Sequence, residues 1–293
     1  MNKTKINLSR KIRFITEEQS LRDLNNLIEI HPTKNDLNKL SGNKFIDYYM
    51  FPYRLDVTTS YRGINFYEFI KSPSKYLGPK KYIYYKEFIK TNSPYNFYSL
   101  YMSSVSIFKP ILSKYIYELY NPTCVLDPTM GWGGRMLGAV VLPTIKYIGF
   151  DTNTDLIVPY KKMVNDLKVN ERVDLFFEDS SKADFSKFNY DMVFTSPPYY
   201  NKRKLVEIYQ HMPSYKDKED WYDIFYYPVF NNAYKHMKIG GHFCINTNLE
   251  GYDLLKRFLG PCSTKIDIRN KTATRKKNKI NTSEYIYVWI KHS

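Results

Sequence analysis

The chain has 293 residues, enough for one large domain or for a catalytic domain carrying an appendage. Its 43% hydrophobic and 25% charged content is that of a globular chain, and no apolar run approaches the roughly 20 residues that cross a bilayer as a helix. Lys and Arg number 44 against 29 Asp and Glu, a formal charge of +15 that attracts polyanions and disfavours a cationic partner. The first residues, MNKTKINLSRKIRF, are basic and polar and do not read as a secretory signal. Cys124, Cys244 and Cys262 stand far apart, with neither metal-ligand nor redox spacing, so a reducing, cytoplasmic setting and no metal site are expected.

The charge is uneven. Residues 1–110 hold 18 basic and 9 acidic side chains, residues 111–200 hold 9 and 11, and residues 201–293 hold 17 and 9. Two basic flanks around an acidic middle suit a phosphate-rich partner, because each neutralised phosphate releases counterions. Tyrosines interleave with lysines in KKYIYYKEFIK at residues 80–90, where rings could stack bases while cations hold phosphates.

In chain order, residues 1–100 form an N-terminal extension that could recognise nucleic acid. Residues 21–30 look helical, 52–56 and 64–69 could be strands, and SPSKYLGPKK at 72–81 reads as a loop. From about Pro122, short apolar runs ending in Asp, Gly or Asn alternate with helical stretches, the pattern of a parallel sheet with crossover helices. Strands are expected at 124–127, 147–151, 173–177, 191–195, 242–246, 265–269 and 285–290, and helices at 135–141, 156–168, 221–237 and 252–259. The fold class is therefore α/β, a Rossmann-like, seven-stranded, doubly wound sheet over residues 101–293. Ligands in such folds sit beyond the carboxyl ends of the strands near the switch point.

The informative residues lie at those ends. VLDPTMGWGG, residues 125–134, runs from a strand through a glycine-rich turn into a helix whose free N–H groups can meet a carboxylate or phosphate. Three acidic residues follow the same logic: Asp127, Asp151 twenty-four residues on, and Asp179 just past the third strand. An acid at the second strand end accepts hydrogen bonds from ribose hydroxyls in dinucleotide-binding sheets.

This series, followed by TSPPYY at residues 195–200, resembles the methyltransferases that use S-adenosylmethionine to methylate exocyclic amino groups of adenine or cytosine in DNA. The resemblance covers about residues 105–293. It implies that Asp127, Pro128, Gly131 and Gly133 serve the methionine moiety of the cofactor, Asp151 its ribose and Asp179 its adenine. FKP, comprising Phe108, Lys109 and Pro110, is similar to the family element whose Phe packs beside the cofactor.

In SPPY the prolines rigidify the chain after Ser196. A base amino group is a poor nucleophile because its lone pair is delocalised into the ring. The Ser196 side chain and the Pro197 carbonyl can accept its hydrogens and aim the lone pair at the methyl, with Pro198 fixing the turn and Tyr199 stacking on a base flipped from the helix. Ser196 tilts the reading toward cytosine, the greater abundance of adenine enzymes tilts it back, and the target base stays open. Gly134-Arg135 replaces the family's more usual Gly-Thr and leaves the role of Arg135 open.

About 60 residues separate Gly134 from Ser196, too few for a recognition domain. Phosphate contacts are expected instead from Lys202, Arg203 and Lys204, beside SPPY, and from Arg269, Lys271, Arg275, Lys276, Lys277 and Lys279 in the loop joining the last two strands. The expected activity is methylation of an exocyclic amino group in DNA. The alternatives are an RNA or protein-amide methyltransferase, or a non-catalytic nucleic-acid-binding protein that kept the fold.

Overall fold

The structure, a computed structural model, describes residues 3–59, 63–102, 104–198, 200–201, 204–205, 207–208, 214–268 and 285–292. Seven strands form its main sheet: β1 (Cys124–Asp127), β2 (Lys146–Phe150), β3 (Val173–Phe176), β4 (Met192–Thr195), β5 (His242–Thr247), β6 (Thr264–Asp267) and β7 (Tyr285–Ile290). Their spatial order is β6-β7-β5-β4-β1-β2-β3. Strands β3, β2, β1, β4 and β5 run parallel, whereas β7 is antiparallel to both β5 and β6.

The order reverses between β1 and β4, so their carboxyl ends define the switch point where a crevice opens. Both faces of the central strands are covered. In β4, Met192 and Phe194 enter one core while Val193 enters the other, which explains why these strands read as continuous apolar runs. The helices Gly134–Val140 and Ile157–Asp166 lie on the first face, and Tyr227–His236 and Leu249–Leu259 on the second.

The first face carries a further layer. Leu24 and Leu27 of the helix Glu17–Glu29, and Phe45, Ile46 and Met50 of the helix Asn43–Arg54, share a core with Ile111 and Ile116 of the helix Pro110–Tyr120. Lys114 fastens this layer. Its Nζ donates to the carbonyls of Leu27, Ile28 and Ile30 at 2.9, 2.8 and 2.6 Å, capping the open end of the Glu17–Glu29 helix from inside the protein. Residues 51–102 add a third core, dense in aromatic rings, in which Phe66, Phe69 and Phe97 are fully buried.

Two expectations for this region are corrected. Residues 52–54 belong to the last turn of the Asn43–Arg54 helix rather than to a strand, and the stretch at 64–69 is occupied by the start of the helix Phe66–Lys71. The second helix is dictated locally: the Asn65 side chain accepts from the Glu68 N–H, and the Glu68 side chain accepts from the Asn65 N–H, a capping box that outweighs the β propensity of the aromatic residues. The expected loop at 72–81 holds two helix starts, at Pro73 and Pro79, because proline at a first helical position loses no hydrogen bond.

Candidate active site

The carboxyl ends of β1, β2, β3 and β4 open onto one cavity of about 340 Å³. Pro128, Thr129, Gly131 and Trp132 after β1 form one wall, with Asp151 after β2 and Asp179 after β3 beside it. Phe108 and Lys109 close another side, and Ser196, Pro197 and Pro198 after β4 a third. The cofactor turn and the SPP turn, 65 residues apart in sequence from Gly131 to Ser196, thus face the same space.

The glycine turn is built by three fully buried tyrosines. Tyr160 donates to the Gly131 carbonyl at 2.9 Å, Tyr117 to the Arg135 carbonyl at 3.2 Å, and Tyr147 to Asp127 Oδ2 at 2.6 Å. Gly133, at φ +87°, reverses the chain into the Gly134–Val140 helix. Gly134 is required for a different reason: a Cβ there would stand 1.8 Å from the Phe108 carbonyl oxygen. This contact is how the Phe108–Lys109 segment reaches the cavity, since only a bare backbone admits it.

Both oxygens of the Asp151 carboxylate accept a backbone N–H while the residue lines the cavity. Oδ2 accepts from the Gly131 N–H at 2.9 Å and Oδ1 from the Asn153 N–H at 2.8 Å. Burial nevertheless dominates and pushes its pKa up to about 6. Asp179 caps a short turn by accepting from the Ser181 N–H at 3.0 Å, while still lining the cavity. Lys109 donates to the Leu37 carbonyl at 3.0 Å, and burial lowers its pKa.

Asp127 requires a correction. Its side chain is wholly inaccessible and stands behind the wall instead of facing a ligand. The reason is Arg135, eight residues on, whose Nε donates to Asp127 Oδ2 at 2.7 Å and whose Nη2 donates to Oδ1 at 3.2 Å and to the Thr129 carbonyl. Burial alone would lower the guanidinium pKa, but the adjacent Asp127 charge more than offsets it and holds the cation. The Arg135 guanidinium also lies 5.0 Å from the centre of the Phe108 ring. Pro110 and Gly133 likewise stay out of the cavity wall: Pro110 is buried as the first residue of its helix, and Gly133 packs against Tyr160 and Met163.

The two turns are tied together below the cavity. Thr195 Oγ1 donates to Asp127 Oδ1 at 2.6 Å, so Thr129 Oγ1 donates its hydrogen to Thr195 Oγ1 at 2.6 Å, with the Ser196 carbonyl 3.2 Å from the same hydroxyl. Beside them, Asn246 of β5 donates from Nδ2 to Ser196 Oγ at 3.1 Å. Phe225 and Tyr215 complete the cavity. Phe225 sits in a π-helical turn, Tyr222–Tyr226, just before Pro228, whose missing N–H and bulky ring disfavour tighter α winding there.

Trp132, Phe225 and Asn246 are site residues that the sequence did not single out, and Arg135, whose role it left open, is the buried partner of Asp127. A polar Asn closing the apolar run FCIN in β5 was the visible signal for Asn246. Tyr199, Lys202, Arg203, Arg269, Lys271, Arg275, Lys276, Lys277 and Lys279 lie outside the described residues. The backbone of Lys204 pairs with that of Asn201 in a short antiparallel ladder. Among the described residues no group of His, Cys, Asp and Glu has the arrangement of a metal site, and no helix is long and apolar enough to cross a membrane.

Residues 190–292 match a family described as DNA methylase, which agrees with the resemblance carried by the SPPY segment. No curated protein matches the chain. Among solved structures, it is similar to TrmN from Thermus thermophilus, at 18% identity over 63% of this chain and 49% of that one, with a TM-score of 0.43. An rRNA methylase from Streptococcus thermophilus gives 14% identity over 64% of this chain and all of the other, with a TM-score of 0.41. An S-adenosylmethionine-dependent O-methyltransferase from Thermotoga maritima gives 14% over 67% and 70%, with a TM-score of 0.44. The chain spans about half the length of the Thermus protein. The cavity lies at the switch point, where sheets of this strand order hold their ligands, and the family match, to DNA methylases, falls on the part of the chain that supplies the SPP turn.

Proposed function

We propose that this chain methylates the exocyclic amino group of adenine or cytosine in DNA. The observation that carries the reading is the single cavity shared by the glycine turn with Asp151 and the SPP turn. The cavity suits S-adenosylmethionine: Asp151 and Asp179 offer acceptors to ribose hydroxyls and an adenine amino group, Lys109 a cation to a carboxylate, and Trp132, Phe108 and Phe225 apolar surface. Bound there, the cofactor supplies a methyl group on a positively charged sulfur.

The protein's own part is positioning. Ser196 Oγ and the Pro197 carbonyl accept the two amino hydrogens, which disfavours delocalisation of the nitrogen lone pair and directs it at the methyl. That chemistry would leave a neutral thioether, and the amino proton displaced by the methyl group would pass to water, while Ser196 and the Pro197 carbonyl hold the nitrogen in place. The Thr129–Thr195–Asp127 chain holds the SPP turn at a fixed place relative to the cofactor turn, so positioning is prepaid in folding.

A nucleic-acid substrate is further supported by the helices Pro79–Phe88 and Pro94–Tyr101. Lys81 lies 4.7 Å over the Tyr101 ring, Lys86 lies 5.2 Å over Tyr82, and Tyr84 and Leu100 are exposed beside them. Cations alternating with aromatic rings suit a phosphate backbone with bases at its edge. The short strand Thr58–Thr59 pairs with Glu207–Ile208 and so ties this part of the chain to the segment that leaves the SPP turn. The test is methylation of DNA and of RNA in vitro, followed by nucleoside digestion and mass spectrometry. Methylated adenosine or cytidine confined to RNA, or a methylated protein amide, would replace the DNA reading.

A further inference from the structure

We propose that a second cavity, walled by the N-terminal helices and the helix Ile157–Asp166, binds a nucleotide, with its phosphate on Arg10 and Arg13 and its base against Phe14, Tyr48 and Tyr53. The cavity has a volume of about 440 Å³ and shares no lining residue with the one at the strand ends. That volume lies within the roughly 300–1,000 Å³ of small-molecule sites. The proposal does not depend on the identity of the methyl acceptor.

The charges favour an anion. Arg10, Arg13 and Lys162 line the cavity against Glu17 and Asp47. Asp47 is shared: Arg13 Nη1 donates to its Oδ2 at 2.6 Å, and Arg54 Nη2 stands 2.7 Å from its Oδ1, so one carboxylate serves two guanidinium groups. Arg13 is held a second time, 4.9 Å from the centre of the Phe51 ring. Among the described residues Asp47 is the only acceptor for its guanidinium, so a positioned fork at the cavity wall keeps N–H donors of the kind that bind phosphate oxygens. Arg10, in the last turn of the helix Lys3–Ile12, has no ion pair or side-chain hydrogen bond among the described residues.

The apolar lining calls for a ring. Phe14 is 71% exposed and Val158 is 69% exposed, and these two large apolar side chains from distant parts of the chain line the same cavity. Tyr48 and Tyr53 stand half-buried in its wall. A bare anion would leave these surfaces in water, whereas a nucleotide covers them with its base while its phosphate meets the arginines.

The structural alternative is that Arg10 only complements its helix dipole and Arg13 only ties the first helix to Asp47. Calorimetry on the full chain with adenosine monophosphate, adenosine, inorganic phosphate and a short single-stranded DNA separates the two. Arg10→Gln and Phe14→Ser change exposed side chains and leave the core intact, and Asp151→Ala reports on the cavity at the strand ends. The monophosphate should bind more tightly than adenosine or phosphate, and each of the first two variants should weaken it by about tenfold. Asp151→Ala should leave that affinity unchanged, and binding should protect residues 3–17 and 43–54 from hydrogen exchange. The same losses seen with the single strand but not with the monophosphate would uphold the site and identify its occupant as a nucleotide of a polymer. Affinities unmoved by Arg10→Gln and Phe14→Ser, inorganic phosphate binding as tightly as the monophosphate, a loss confined to Asp151→Ala, or no binding by either nucleotide source would overturn the proposal.

Discussion

Arg135 and Asp127 form a buried ion pair behind the glycine turn, Nε to Oδ2 at 2.7 Å, with side chains 4% and 0% exposed. Asp127 also accepts from Tyr147, Thr195 and the Thr129 N–H, so the pair joins β1, β2, β4 and the first helix of the sheet into one polar knot. Removing one partner of such a pair leaves a charge without compensation, whereas its formation contributes little net stability. Arg135→Met should therefore destabilise the protein by about 3–5 kcal/mol. Arg135→Lys should fail to restore it, because an ammonium cannot bridge both carboxylate oxygens and the Thr129 carbonyl in the same planar fork. Urea denaturation of the three proteins checks this, and a lysine variant of wild-type stability would contradict it.

In the proposed cofactor site, Asp151 should make binding pH-dependent. Its folded pKa of about 6 lies above the ordinary 3.8 because burial disfavours the charge. The native state thus holds this proton to higher pH than the unfolded chain. The resulting contribution to stability is present below about pH 4 and is lost as pH rises through 6. Binding has the opposite sign, since ribose hydroxyls donate best to the ionised carboxylate. Affinity for S-adenosylmethionine should rise with pH through about 6 and level off above it. Asp151→Asn should flatten that profile and weaken binding at neutral pH by about 1.5–3 kcal/mol, the range for hydrogen bonds to a charged group. Calorimetry across pH 5–8 measures both, and an unchanged profile in the variant would assign the titration elsewhere.

Gly134 offers a steric test. A methyl group there cannot coexist with the Phe108 carbonyl oxygen at 1.8 Å, so Gly134→Ala must push away the segment bearing Phe108 and Lys109. The expected cost is about 1–3 kcal/mol in stability, with a parallel loss of cofactor affinity. Gly78→Ala is the control, because a Cβ there meets nothing within 4 Å. Its melting temperature and affinity should match wild type.

How much of this was legible before folding differs along the chain. The strands Cys124–Asp127 and Tyr285–Ile290 have the bounds read from sequence, and the other strands shift by only a residue or two, because central strands covered on both faces are short apolar runs with polar ends. Asp151, Asp179 and the SPP turn were legible as cavity residues for the same reason: a strand end fixes where its next residue points. Asp127 was misread because an acid at a strand end can face a ligand or a buried cation, and nothing local distinguishes the two. Arg135 and Asn246 depend on the close approach of distant elements, through Gly134 in one case and the β4–β5 register in the other. The N-terminal strands were misassigned for a different reason, since the Asn65–Glu68 capping signal was present and aromatic content obscured it.

The basic aromatic face at residues 79–101 makes a claim about salt. If Lys80, Lys81 and Lys86 neutralise phosphates, each contact adds about −0.9 to the slope of log affinity against log salt on duplex DNA. Replacing all three with Gln should flatten the slope by up to about 3 units and weaken every sequence alike. Fluorescence anisotropy over a salt series measures this. An unchanged slope would leave the face merely solvated.

The most direct measurement is transfer of an isotopically labelled methyl group from S-adenosylmethionine to DNA, to RNA and to protein offered in the same reaction, with each polymer digested and its methylated residues identified by mass spectrometry. The expected result is label in DNA, on the exocyclic nitrogen of adenine or of cytosine, with the rate lowered by Ser196→Ala at unchanged cofactor affinity. Label on a ring carbon, on an oxygen, or in RNA or protein alone would contradict an amino-methylating DNA enzyme. Absence of label from all three polymers, in a protein that binds the cofactor, would contradict catalysis.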